Sequence, residues 1–249
     1  MRYFIEIAYN GTPYHGWQIQ PDAISVQQVL EETLSTFFRS AIKVTGAGRT
    51  DTGVHARQLY AHFDFENIPN IEETIFRLNS FLPKAIAVQS IRRVQDEAHA
   101  RFDATQREYE YLISLQKDPF AEKLTHQLFQ TPDIDRMNQA AEMLCDFSDF
   151  QCFSRSNTDV KTYICTITKA FWEIDGNRLR FTIAADRFLR NMVRAIVGTL
   201  LDVGFGKTTL EELQQIIESK DRSRAGASAP AHGLYLTKVS YPNTIFVKK

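Results

Sequence analysis

Cysteine is scarce in this chain. Its three residues, Cys145, Cys152 and Cys165, are odd in number and show no CxxC spacing. That pattern argues against a disulfide framework or a zinc site and suits a reducing cytosol. No apolar run approaches the length of a membrane span. The opening MRYFIEIAYNG alternates like a strand and lacks the basic-then-apolar layout of a signal peptide, so a cytoplasmic location is expected. Charge of one sign is not in excess either, with 29 Lys and Arg against 30 Asp and Glu. A surface for nucleic acid would have to gather its basic residues on one face. Known chemical signatures are also missing. No GK[ST] follows Gly46 and Gly48 to make a phosphate loop, and no GxSxG marks a nucleophile elbow. His55 and His62 are not at helical ligand spacing, so no metal is expected.

What is present begins with an ordinary globular balance, 43% hydrophobic and 24% charged over 249 residues. That length suits one large domain or two small ones. Basic residues do gather locally, at Arg92 and Arg93, Arg101 and Arg107, Arg187, Arg190 and Arg194, and at Lys220, Arg222 and Arg224. A solvated surface suffices to explain any one of these groups.

The periodicity describes two similar halves. Residues 2–9 alternate as a strand, and 25–38 read as a helix with Ser25 as cap and Gln28 at the capping-box position. Strands are expected at 41–46, 59–66 and 86–94, with a helix at 71–82 stopped by Pro83. The second half offers a strand at 107–115, a helix at 133–147, and a hairpin of 162–175 with 178–185 around Gly176 and Asn177. Helices at 188–203 and 209–219 and a strand at 233–241 follow, and the tail after Pro242 is expected to add little. The order β-α-β-β-α-β is the ferredoxin-like unit. The expected fold is α+β, with two ferredoxin-like subdomains, 1–100 and 101–249, whose mainly antiparallel sheets flank a central cleft.

Two segments stand out against this frame. GAGRTDTGVHARQ (46–58) joins two expected strands with about a dozen residues, where a hairpin needs roughly two to five. It sets one carboxylate, Asp51, among glycines and arginines, which suits a plain turn or a functional loop. In FLRNMVRAIVGTLLDVG (188–204) an apolar helix is expected, with Arg187, Arg190 and Arg194 at i, i+3 and i+7 along one stripe. Those guanidinium groups either snorkel to water or line a cleft and meet anions. One carboxylate near arginines, without a cofactor motif, fits covalent catalysis by Asp51 or the binding of an anionic ligand.

GRTDTGVHA (48–56) resembles the signature of the tRNA pseudouridine synthase A family. YNGTPYHGWQIQ (9–20), HARFDATQREYEY (99–111), FLRNMVRAIVGTLLDVG and APAHGLYL (229–236) are similar to that family's further motifs, in order and nearly end to end. One departure is Asn10, where the family usually has Asp. The resemblance implies a homodimeric, cofactor-free enzyme that converts uridine to pseudouridine at positions 38, 39 and 40 of the tRNA anticodon stem-loop. It implies Asp51 as nucleophile and Tyr109 as the tyrosine that contacts the base. Arg49 would assist flipping or positioning of the nucleotide, Arg194 would pair with Asp51, and Leu234 would pack near the flipped base. The chemistry itself leaves open whether the carboxylate attacks C6 of the base, attacks C1′ of the ribose, or helps remove a ribose proton. A non-catalytic RNA-binding module is the rival from another class, but no RNP1-like aromatic run is visible. A hydrolase that releases free uracil is the other.

Overall fold

A computed structural model describes residues 1–155 and 160–247. Two compact units make up the chain, the first formed by residues 1–106 with the stretch from Tyr235 onward, the second by Arg107–Leu234. Both are α+β, and most strand pairs are antiparallel. Among the described residues no helix is long and apolar enough to cross a membrane.

The first unit runs β1 (Arg2–Tyr9), α1 (Val26–Phe38), β2 (Thr45–Gly46), β3 (His55–Asp64), α2 (Ile71–Phe81) and β4 (Ile86–Val94). A late strand, β9 (Leu234–Ser240), joins it through all but its first residue. The strands lie in the order β4-β1-β3-β9, with β2 on β3. Central β1 buries Phe4, Ile5 and Ile7 completely, as a strand covered on both faces should. Helix α1 starts where expected, because the Ser25 side chain accepts the Gln28 N–H at 3.2 Å. It buries Val26, Val29, Leu30 and Leu34.

In the second unit β5 (Gln106–Ser114), β8 (Arg178–Ala185) and β7 (Ile167–Asp175) lie side by side in that order, with β6 (His126–Gln127) on β5. The expected hairpin forms, and Asp175 faces Arg178 across Gly176 (φ 57°) and Asn177. Helix α3 (Ile134–Met143) packs against β7, α4 (Met192–Gly204) is buried on nearly every side, and α5 (Leu210–Ser219) closes the unit. The two units share one device. Asn79 of α2 accepts the Val88 N–H and donates to the Val88 carbonyl on β4, at 2.7 and 2.8 Å. Asn138 of α3 does the same to Trp172 on β7, at 2.7 and 3.1 Å. In each case a helix side chain satisfies the free backbone of an outer strand.

Several expectations are corrected, among them the first arm of the hairpin, which begins at Ile167 instead of residue 162. The strand at 41–46 shrinks to Thr45–Gly46, and β3 begins at His55 instead of Leu59. The helix at 133–147 stops at Met143 and tightens into a 3₁₀ turn. The helix at 188–203 starts only at Met192, because Asn191 takes a left-handed φ of 66° that interrupts the periodicity. Arg187 and Arg190 therefore precede the helix, and no helical stripe joins them to Arg194. The tail after Pro242 is structured: Val94 and Phe246 form an antiparallel bridge, Gln95 N–H donates to Ile245 (2.9 Å), and Val247 N–H donates to Arg93 (3.1 Å). The Arg92 guanidinium lies 3.7 Å from the centre of the Phe246 ring. This strap pairs with the end of β4, at residues 93–95. Residues 156–159, within the long connection before β7, lie outside the described residues.

The first unit carries one titration that bears on stability. Burial, aided by Arg2 and His99, pulls the His62 imidazole down to about 4. Its Nδ1 accepts the Ala100 N–H at 3.1 Å, so the folded ring is neutral. In the unfolded chain the ring takes up its proton near ~6.5. The stability it contributes is complete above that pH and is lost as pH falls toward 4, since the unfolded chain binds the proton first. A loss of up to about 3 kcal/mol is expected across this window. Urea denaturation at several pH values should show it, and His62→Asn, which does not titrate there, should flatten the acid limb.

Candidate active site

The loop at 47–54 joins β2 to β3 and carries Arg49 and Asp51. Its ends are fixed to its own neighbourhood. Ala47 N–H donates to the Tyr60 carbonyl at 2.7 Å, and Val54 N–H returns to the Asp51 carbonyl at 3.1 Å across Gly53, at φ 78°. The middle is held by residues 9–17. Trp17 N–H donates to the Thr50 carbonyl at 3.2 Å, the hydroxyls of Tyr9 and Thr50 lie 2.8 Å apart, and Gly11 N–H donates to His55 Nδ1 at 3.0 Å.

Two glycines make this approach possible. A Cβ on Gly11 would run into the carbonyl oxygen of Val54, and one on Gly16 (φ 85°) into that of Thr50. Backbone meets backbone here, so no flexible side chain can give way. The grip sorts the loop residues: Thr50 and Val54 point inward, Arg49 and Thr52 are exposed, and Asp51 is half-buried between them. Gly48 faces open space, with nothing within 4 Å of where a Cβ would sit.

His55, buried at the start of β3, stacks on Tyr235 with ring centres 4.5 Å apart. Its Nδ1 already accepts a hydrogen bond, which makes it part of the scaffold. Burial pushes the Tyr235 hydroxyl up to about 12, and the Arg57 guanidinium sits 5.3 Å from its ring centre.

The second unit binds its own motif residues together. Tyr109, half-buried on β5 opposite Ile183, meets the Phe188 ring edge-on at 5.2 Å. Arg194 on α4 is half-buried, and its Nε donates to the Ala229 carbonyl at 2.7 Å while Ala229 N–H returns to the Arg194 carbonyl at 2.9 Å. The Tyr111 hydroxyl donates to the Pro230 carbonyl at 2.9 Å, and a Cβ on Gly233 would come within 2.7 Å of the Tyr111 ring. Segment 229–233 is thereby fixed to both α4 and β5, which sets the position of buried Leu234 next to it. Gly198 allows α4 to touch the backbone at Ala227, and Gly226 N–H donates to Thr199 Oγ1 at 2.9 Å.

Thus Arg49 and Asp51 share one loop of the first unit, and Tyr109, Arg194 and Leu234 belong to the second. Arg187 is half-buried and Arg190 exposed, both outside a helix. Tyr9, Gly11, Gly16 and Thr50 had no assigned role from the sequence. Their signal is that they lie in the motif segments YNGTPYHGWQIQ and GRTDTGVHA, but nothing nearby in sequence names the carbonyls that the two glycines approach. Among the described residues no group of three or more His, Cys, Asp or Glu is placed to hold a metal ion.

With this geometry, the chain matches a family model described as tRNA pseudouridine synthase over residues 6–103 and 140–242. It is 52% identical over 250 residues to tRNA pseudouridine synthase A of Porphyromonas gingivalis, covering 99% of each chain. Against the enzyme of that name from Bacteroides thetaiotaomicron it is 51% identical, covering 98% of this chain and 92% of the relative. Against that from Bacillus subtilis it is 38% identical, covering 98% and 100%. The chain belongs to the tRNA pseudouridine synthase family. It is an enzyme, an isomerase.

The glycine pair yields a direct stability test. Gly11→Ala forces the loop away from residues 9–17 and should cost about 1–3 kcal/mol, the usual range for overpacking. Gly48→Ala meets nothing and should stay within about 0.5 kcal/mol of the parent. Thermal or urea denaturation of the two variants checks both.

Proposed function

We propose that this enzyme isomerises uridine to pseudouridine at positions 38, 39 and 40 of the tRNA anticodon stem-loop, with Asp51 as the nucleophile. The observation that carries the reading is the setting of Asp51. Asp51 is half-buried on a loop whose backbone is gripped by residues 9–17, and Gly48, three residues before it, faces open space. A carboxylate carried on a firmly held backbone suits attack on a large substrate.

The reaction breaks the N1–C1′ bond, turns the uracil and rejoins it through C5, so N1 gains a proton as C5 loses one and product and substrate are isomers. Asp51 supplies the electron pair, and the C5 proton must leave at the end. Tyr109 is proposed to stack on the uracil and to place its hydroxyl near that proton. Arg49, Arg194 and Leu234 are proposed to hold the flipped nucleotide, whose departure from the stack costs a few kcal/mol that pocket contacts must offset. The same reading includes a homodimer working in the cytoplasm and two ferredoxin-like subdomains, 1–100 and 101–249, the stretch of the second from Tyr235 onward falling in the first compact unit. The order β-α-β-β-α-β in residues 1–94 supports the first of these subdomains.

Asn has the shape of Asp without its nucleophilic oxygen pair. Asp51→Asn should lower pseudouridine formation in unmodified tRNA by at least about 10³-fold while melting within a few degrees of the parent. Substantial activity in the folded variant overturns the assignment, and release of free uracil by the parent enzyme would mark hydrolysis instead. Tyr109→Phe should keep tRNA affinity within a few fold and lower turnover by about 10²–10⁴. A fully active Phe variant would restrict Tyr109 to stacking.

A further inference from the structure

Strand β1 ends in an irregularity. Ile7 faces Leu59 on β3, yet Tyr9 faces Ala56, so β3 spends one residue more than β1 between the two pairs. Bulges of this kind re-aim side chains and occur often beside active sites. Here the extra residue lies on β3 and brings Tyr9 opposite Ala56; Tyr9 is buried, and its hydroxyl lies 2.8 Å from Thr50 Oγ1. Thr50 immediately precedes Asp51 and is itself buried. Its carbonyl is taken by Trp17 N–H, and the next carbonyl, that of Asp51, is taken by Val54 N–H. Side chain and backbone of the residue before the nucleophile are therefore both fixed from strand β1 and the segment that follows it.

We propose that Tyr9 is a positioning residue for the reaction, acting through Thr50 to set the height and direction of the Asp51 carboxylate. The inference rests on the reading of Asp51 as nucleophile. A hydroxyl pair of this kind adds little to affinity, because it faces the protein interior and not the substrate. It acts on geometry, where a misplacement of about 1 Å can cost about 10²-fold in rate. A strand tyrosine serving packing alone would need the ring and not the hydroxyl.

Tyr9→Phe keeps the ring and removes only the hydroxyl. Single-turnover conversion of unmodified tRNA by Tyr9→Phe should slow by about 10-fold or more, with tRNA Kd within about twofold and only a modest fall in Tm. Thr50→Val reads the same bond from its other end and should slow the reaction similarly. The double variant should be no slower than either single one, since each already breaks the shared contact. Thr50→Ser, which keeps the hydroxyl, should regain most of the rate. Asp51→Asn runs alongside as the reference. If it is active, the nucleophile assignment falls and this inference falls with it. If it is inactive while Tyr9→Phe and Thr50→Val both turn over like the parent, the positioning role alone is overturned. Additive losses in the double variant overturn it as well.

Discussion

Backbone laid directly against backbone is the constraint on which the first unit depends. Residues 11 and 16 must lack side chains so that the chain leaving β1 can touch the carbonyls of Val54 and Thr50. Once that approach is made, the hydrogen bonds from Gly11 and Trp17 and the Tyr9–Thr50 contact follow at ordinary distances. The two sequence segments YNGTPYHGW and GRTDTGVHA are then halves of one object. One carries the Asp51 carboxylate and the other the backbone that holds its loop in place. Such a hold is rigid without being deep, because its strength lies in peptide groups and not in a large apolar pocket.

The second unit solves the same problem with different atoms. Gly198 lets α4 touch the backbone at Ala227, and Arg194 and Tyr111 clasp Ala229 and Pro230. Arg194 thus spends its Nε on the protein's own backbone, which fixes the direction of its guanidinium. A long cationic side chain prepared in this way loses less freedom when it meets an anion than a solvated one.

What could be read from the sequence was what depends on neighbours in the chain. Ser25 caps α1 through the N–H three residues on, and β1, β4 and β8 show their strands in their own composition. The polar start of β3 was hidden because His55 and Ala56 are strand only by pairing with Tyr9, Tyr235 and Leu236, all distant in sequence. The late start of α4 was hidden because the pattern through Phe188 and Leu189 continues the helical period, and only the left-handed Asn191 breaks it. Asp51 was conspicuous by its glycines and arginines. Its supports were not, since a glycine declares that something comes close without saying what.

The division of the first unit along the chain has a consequence for how the protein is made. Strand β9 and the strap at 243–247 belong to that unit, yet all of 107–234 is synthesised before them. A nascent chain that has passed β4 therefore carries β3 without Tyr235 beside His55 and β4 without the strap on its last residues. Contacts this far apart in sequence close slowly, and open edges invite pairing with other chains in the interval. The loop bearing Asp51 and its braces in residues 9–17 are translated early, whereas the strand that follows the loop gains Tyr235 only near the end. A ribosome that stalls before Tyr235 therefore releases a chain in which His55, at the far end of that loop, still lacks the ring that stacks on it.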